Sequence, residues 1–114
     1  MSPEAKRGEI WLVDFEPSVG TEIRKVRPAV VVSNDMANLR TPKVTVLPIT
    51  GTIRQSAIVV ILQPSPTNGL DRESLVRVPD VCTFDKMRLK RRLGCLEANE
   101  LLEVDAKLRL HLEL

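Results

Sequence analysis

Val26-Arg27-Pro28-Ala29-Val30-Val31-Val32-Ser33 (residues 26–33) is the stretch that decides the fold. Four successive apolar residues after a proline read as a buried strand. Proline at a strand's first residue removes no ladder hydrogen bond, so the strand is predicted to begin at Pro28. Immediately upstream, Thr21 to Arg27 (TEIRKVR) packs one acid and three bases into a charged loop. Before that loop, Gly8 to Phe15 (GEIWLVDF) is rich in β-formers and ends at the turn material Glu16-Pro17-Ser18-Val19-Gly20, which predicts a first strand and a reversal.

Downstream, Ser33-Asn34-Asp35 caps a short helical turn through about Leu39, and Thr41-Pro42 forces an extended restart. Val44 to Ile49 is the next strand, with Thr50-Gly51-Thr52 as its sharp exit. Ala57 to Leu62 reads as a further strand, and residues 63–69 (QPSPTNG) as a loop by composition. Leu75 to Val78 and Val81 to Phe84 are short strands separated by Pro79-Asp80. Short strands at such turn-punctuated spacing predict a mainly β fold, a small barrel or strongly bent sheet. From Glu97 the period changes: Leu101, Val104, Leu108 and Leu112 fall on one helical stripe, with Glu97, Glu100 and Glu103 toward the amino end, where the helix dipole favours negative charge.

Composition sets the class. The 114 residues suffice for one domain, and 43% are apolar with both charge signs well represented, an ordinary globular balance. The longest apolar run, Ala57 to Leu62, falls far short of the ~20 residues of a membrane helix. The amino end carries no apolar stretch of the kind that marks a secretory signal, so a cytoplasmic protein without membrane contact is expected. Cys82, Cys95 and His111 offer at most three soft ligands, one fewer than a structural zinc site takes, so no metal is expected and the thiols read as free. Aromatics make up 3%, too few for base-stacking platforms. The formal charge is +2, and residues 97–114 are net negative, so the positive surplus lies in residues 1–96.

Two features suggest chemistry. If the reversals at Gly20 and Gly51 bring strand ends together, Arg27 and Thr50 face one pocket, a cation beside a hydroxyl, which suits a phosphate. By residue type alone the ordinary reading prevails: a solvated strand-end arginine and a turn threonine. The run Lys86-Met87-Arg88-Leu89-Lys90-Arg91-Arg92 holds five bases in seven residues. It attracts a polyanion, or forms a solvated face whose Met87, Leu89 and Leu93 point inward.

The ordered blocks Arg7-Gly8-Glu9-Ile10-Trp11-Leu12-Val13, Val26 to Ser33, Pro48-Ile49-Thr50, Gly69-Leu70-Asp71-Arg72-Glu73-Ser74 and Thr83-Phe84-Asp85-Lys86 resemble the MazF/PemK (Kid) family of type II toxins over nearly the whole chain. The resemblance implies a single domain over residues 1–114. Its SH3-like barrel of five to seven mostly antiparallel strands, with short helical turns, would occupy residues 7–96, and a C-terminal α-helix residues 97–113. It further implies a homodimer whose groove takes single-stranded RNA, and a cognate antitoxin protein that silences it. The implied activity is metal-independent endoribonuclease cleavage without a cofactor, leaving 2′,3′-cyclic phosphate and 5′-hydroxyl ends. The family's catalytic arginine and threonine fall on Arg27 and Thr50, and its loop glutamate on Glu22. Glu22, Arg24, Lys25, Arg77 and Asp80 are the expected RNA-binding residues. Three features depart from the family: Pro79 stands where one branch has a catalytic aspartate, leaving Asp80 one residue late, Cys82 stands where many relatives have a basic residue, and Arg24-Lys25 replaces the common paired glycines. The competing readings are a non-catalytic, protein-binding toxin of the same fold, like the gyrase poisons, and an RNA-binding module that does not cut.

Overall fold

The apolar runs become strands of one antiparallel sheet. In the computed structural model, which describes residues 4–15, 26–51 and 58–114, the strands are β1 (Glu9–Asp14), β2 (Val26–Val31), β3 (Lys43–Thr50), β4 (Val59–Leu62), β5 (Ser74–Arg77), β6 (Cys82–Asp85) and β7 (Leu89–Cys95). Helix α1 (Asp35–Arg40) precedes β3, α2 (Ala98–Leu112) closes the chain, and 3-10 turns at Val78–Asp80 and Lys86–Arg88 flank β6. The order is β4-β5-β3-β2-β1-β7, with β6 also paired to β3. Strand β3 pairs with β6 through Lys43 to Val46 and with β5 through Ile49 and Thr50, so the sheet changes direction along its length. Among the described residues no ladder joins β4 to β7: the expected barrel takes the form of a bent sheet open between those edges.

Alternation along the three central strands divides their side chains between two apolar clusters. Ile10, Val30 and Leu47 enter one, which extends through Val60, Leu62, Val76 and Val78 to Val104 of α2. Trp11, Val13, Ala29, Val31, Val44 and Val46 enter the other, with Leu89. Strand β2 is covered on both faces, which explains its unbroken apolar run. Each fully buried side chain of this kind contributes about 1.5–3 kcal/mol.

Strand β2 starts at Val26, two residues before the expected boundary. Pro28 pairs with Leu12 of β1, and the β2/β3 ladder begins after it, at Ala29, where its missing N–H breaks no bond. The larger correction is β7, which the basic run conceals. Register shifts between Ile10 and Trp11 and between Leu12 and Val13 bulge its ladder with β1, so Lys90, Arg91 and Arg92 are exposed in succession and period two disappears. Leu89 is buried there as expected, but Met87 is exposed. Helix α2 is held at its start by a capping box: Glu97 N–H donates to Glu100 Oε1 at 2.8 Å, while the Glu97 side chain accepts from the backbone of the first turn. Val104 is buried and Leu101 and Leu108 pack beside it, but Leu112, expected on the same stripe, is 46% exposed because it lies at the helix end, beyond that cluster.

Candidate active site

The β2/β3 register creates the site. Ala29 pairs with Pro48, Val30 with Leu47 and Val31 with Val46. Past Ala29 and Pro48 the two strands run on to Arg27 and Thr50, the residues that the same antiparallel offset would match. Period two then puts Arg27 on the face of β2 that carries Ala29 and Val31, and Thr50 on the face of β3 that carries Val44 and Val46. Both residues are partly buried. They line one cleft of about 450 Å³ together with Pro28, Ile49, Gly51, Leu70, Asp71, Arg72 and Ser74.

The far wall comes from the loop after β4. Asn68, only 1% exposed, organises it: its Oδ1 accepts from the N–H groups of Ser65 at 3.1 Å and Leu70 at 2.9 Å, and its Nδ2 donates to the Gln63 carbonyl at 2.8 Å. The following Gly69 has φ +70°, and a Cβ there would fall 2.2 Å from the Leu93 carbonyl oxygen, so only glycine fits. Past this anchor, buried Ser74 donates its hydroxyl to the Arg72 carbonyl at 3.0 Å. Residues 70–72 are therefore presented to the cleft between two fixed points.

Arg72 lies directly on Gly51. A Cβ added at residue 51 would stand 2.9 Å from Arg72 Cδ, 3.4 Å from its Nε and 3.5 Å from its Nη1. Sequence reasoning missed Arg72. The one available signal was a glycine immediately after the candidate threonine, matched with an arginine inside an ordered block of the resemblance.

The other candidates are distributed differently. Glu22, Arg24 and Lys25, together with Gly20, lie outside the described residues. Arg77 and Asp80 form an ion pair with each other at 2.8 Å and are not among the residues that line the cleft. Burial, and then the nearby Asp80 carboxylate, push the Cys82 thiol above its ordinary value; both cysteines are free. The basic run is largely engaged within the fold. Lys86 is buried and donates Nζ to the Asn38 carbonyl at 2.7 Å. Arg88 lies over the Phe84 ring at 5.8 Å and donates to the Asp14 carbonyl, and Arg92 pairs with Glu9 at 2.8 Å. Among the described residues no group of three His, Cys, Asp or Glu side chains converges, and no helix there is long and apolar enough to cross a membrane.

Chemically, the cleft offers a forked donor and a hydroxyl side by side, with a second guanidinium on the facing loop. That combination of donors suits a phosphodiester.

Residues 6–112 match the family described as the PemK-like, MazF-like toxin of type II toxin–antitoxin system. The endoribonuclease MazF9 of Mycobacterium tuberculosis is 38% identical over 114 residues, covering 96% of this chain and 97% of the relative. The structure of MazF from Deinococcus radiodurans superposes with a TM-score of 0.81 at 25% identity, over 100% of this chain and 99% of that one. A MazE–MazF complex from the same organism gives a TM-score of 0.82 at 25% identity, over 98% of each chain.

Proposed function

The chain belongs to the PemK-like, MazF-like toxins of type II toxin–antitoxin systems, and we propose that it is an endoribonuclease that cuts single-stranded RNA where Arg27 and Thr50 face each other. One observation carries the reading: Arg27 and Thr50 line one cleft just past the end of the β2/β3 ladder.

In this reaction the 2′-hydroxyl loses its proton and attacks the adjacent phosphorus. The P–O2′ bond forms, the P–O5′ bond breaks, and the departing 5′-oxygen takes a proton, leaving a 2′,3′-cyclic phosphate and a 5′-hydroxyl. Negative charge grows on the non-bridging oxygens in the pentacovalent intermediate. Arg27 meets that charge with two parallel N–H donors, the forked geometry that a guanidinium offers to phosphate oxygens. Thr50 donates its hydroxyl to the same oxygens. Donors fixed in advance at the point where charge develops contribute about 2.7–4 kcal/mol each. The guanidinium supplies the positive charge, so no metal is required. Glu22, Arg24 and Lys25, only a few residues before Arg27 in the chain, extend the contact along the strand, with Arg77 and Asp80 as further RNA-facing residues.

The protein acts in the cytoplasm as a homodimer, two copies lengthening the groove that one copy offers, and a cognate antitoxin silences it. The complex of MazF with MazE from Deinococcus radiodurans supports such a partner. The test is incubation with a mixed transcript pool in EDTA, followed by identification of the product ends. Cyclic phosphate and 5′-hydroxyl ends are expected. Uncut RNA, or cutting only after metal is added, overturns the reading, and uncut RNA with salt-sensitive binding points to a binding module instead.

A further inference from the structure

We propose that Arg72 is a second phosphate-binding residue, gripping the backbone phosphate beside the scissile one, and that Gly51 is the saddle that seats it. The inference rests on the ribonuclease reading of the cleft and names how the strand is positioned there.

Gly51 is the starting point. Its φ is not in the left-handed region, unlike those of Gly8 and Gly69, so the backbone at residue 51 does not demand glycine. The space is taken up by Arg72, whose Cδ, Nε and Nη1 all lie within 3.5 Å of where a Cβ would stand, so a side chain there displaces this arginine. An arginine stem that rests on the residue after Thr50 carries its guanidinium to the same cleft as Arg27.

Three further observations make Arg72 a ligand-holding group. Its carbonyl is fixed by the buried Ser74 hydroxyl, and the loop before it is fixed by Asn68, so the backbone that carries the side chain is held in place before any ligand arrives. The side chain is 72% exposed, which leaves its outer donors open. Its partner among the described residues, Asp71, is 3.7 Å away and 91% exposed, and a pair that loose and wet contributes about 0–1 kcal/mol, so it does not neutralise the charge. Two guanidiniums lining one cleft call for a ligand with successive anionic groups. The sugar-phosphate backbone of a single strand has that pattern, and Arg27 occupies one phosphate of it.

Arg72→Ala, Arg72→Gln and Gly51→Ala in the full chain test this in two arms. Cleavage kinetics are followed on a short RNA carrying a mapped cut site. Binding is followed on a fluorescein-labelled 2′-O-methyl single strand, which offers the phosphates without the nucleophile, across a salt series. For the Arg72 variants, KM and Kd are expected to rise about tenfold, as loss of one charge-assisted contact implies. The slope of log Kd against log salt is expected to shrink by about 0.7, the value for one phosphate of a single strand, with kcat within about threefold. Gly51→Ala is expected to act in the same direction and to add little on top of Arg72→Ala. Unchanged KM, Kd and salt slope overturn the proposal, as does a loss confined to kcat, which moves Arg72 to the scissile phosphate. Should the unaltered chain fail to cut RNA, the ribonuclease reading falls, and the binding arm still decides Arg72.

Discussion

Gly94 abuts Thr67: a Cβ at residue 94 would come within 2.2 Å of the Thr67 carbonyl oxygen, which the Cys95 N–H reaches at 3.0 Å. Together with Gly69, which meets the Leu93 carbonyl equally closely, this contact locks the loop after β4 onto β7. The locked loop is the one that carries Leu70, Asp71 and Arg72 to the cleft, so the inner edge of a charged strand supports the wall of the candidate site.

Gly94→Ala therefore forces backbone apart from backbone, which has no flexible side chain to yield. The expected cost is at least about 3 kcal/mol, a fall in Tm of more than about 10 °C for a chain of this size. Thermal unfolding followed by circular dichroism checks it, and a Tm within about 2 °C of the unaltered chain refutes the lock.

Arg27→Ala and Thr50→Ala are expected to abolish and to cripple cleavage, respectively. Thr50→Ala loses one preorganised donor, about 10²–10³ in rate, while Thr50→Ser keeps the hydroxyl and most of the activity. Arg27→Lys keeps the charge but not the fork, so it fails to restore the rate. Initial rates on RNA, read beside unchanged far-ultraviolet spectra, decide the matter.

Lys86 serves the fold rather than the substrate. Lys86→Met removes a buried bond to the Asn38 carbonyl and strands that acceptor, at an expected cost of about 1–3 kcal/mol. The urea midpoint falls accordingly, while kcat and KM of the still-folded protein stay within about twofold. A large rise in KM at unchanged stability would return the basic run to the RNA surface.

Arg7 ties the sheet to α2. It donates Nε to the Val32 carbonyl at 3.1 Å and pairs through Nη2 with the Asp105 carboxylate. A double-mutant cycle with Arg7→Ala and Asp105→Ala is expected to give a coupling of about 1 kcal/mol, above the typical fully exposed pair because both side chains are mostly covered. Arg7→Ala alone costs more than Asp105→Ala, since it also releases Val32.

Cys82 imposes an alkaline limit. Burial, then Asp80, raise its thiol in the folded state, so the unfolded thiol ionises first as pH climbs. Stability is unaffected below the ordinary thiol value and declines through the window from that value up to the raised one. Unfolding free energies of the unaltered chain, relative to Cys82→Ala, are expected to fall as pH rises from the ordinary thiol value of about 8.5 upward. A flat difference across that range contradicts the assignment.

Much of the fold was legible. The run Ala29 to Val32 announced a buried strand because β2 is covered on both faces, and the change of period after Glu97 announced α2 because its capping box and its apolar residues are local signals. Strand β7 was not legible. Its bulges against β1 put three charged residues in succession on the outside, and that pattern depends on a partner some eighty residues away. Ordered blocks resembling a toxin family singled out Arg27 and Thr50, but local pattern marked them only as a strand-end arginine and a turn threonine.

The sequence by itself therefore determined the elements that periodicity encodes, the apolar set that fills both clusters, and the family. Tertiary structure alone decided that Arg27 and Thr50 line one cleft, that Arg72 rests on Gly51, and that Lys86, Arg88 and Arg92 of the basic run are engaged by other parts of the chain. The reason is physical: helix and strand periods are set by neighbours within a few residues, whereas register, bulges and the burial of a charge are set by pairing between segments far apart in the chain.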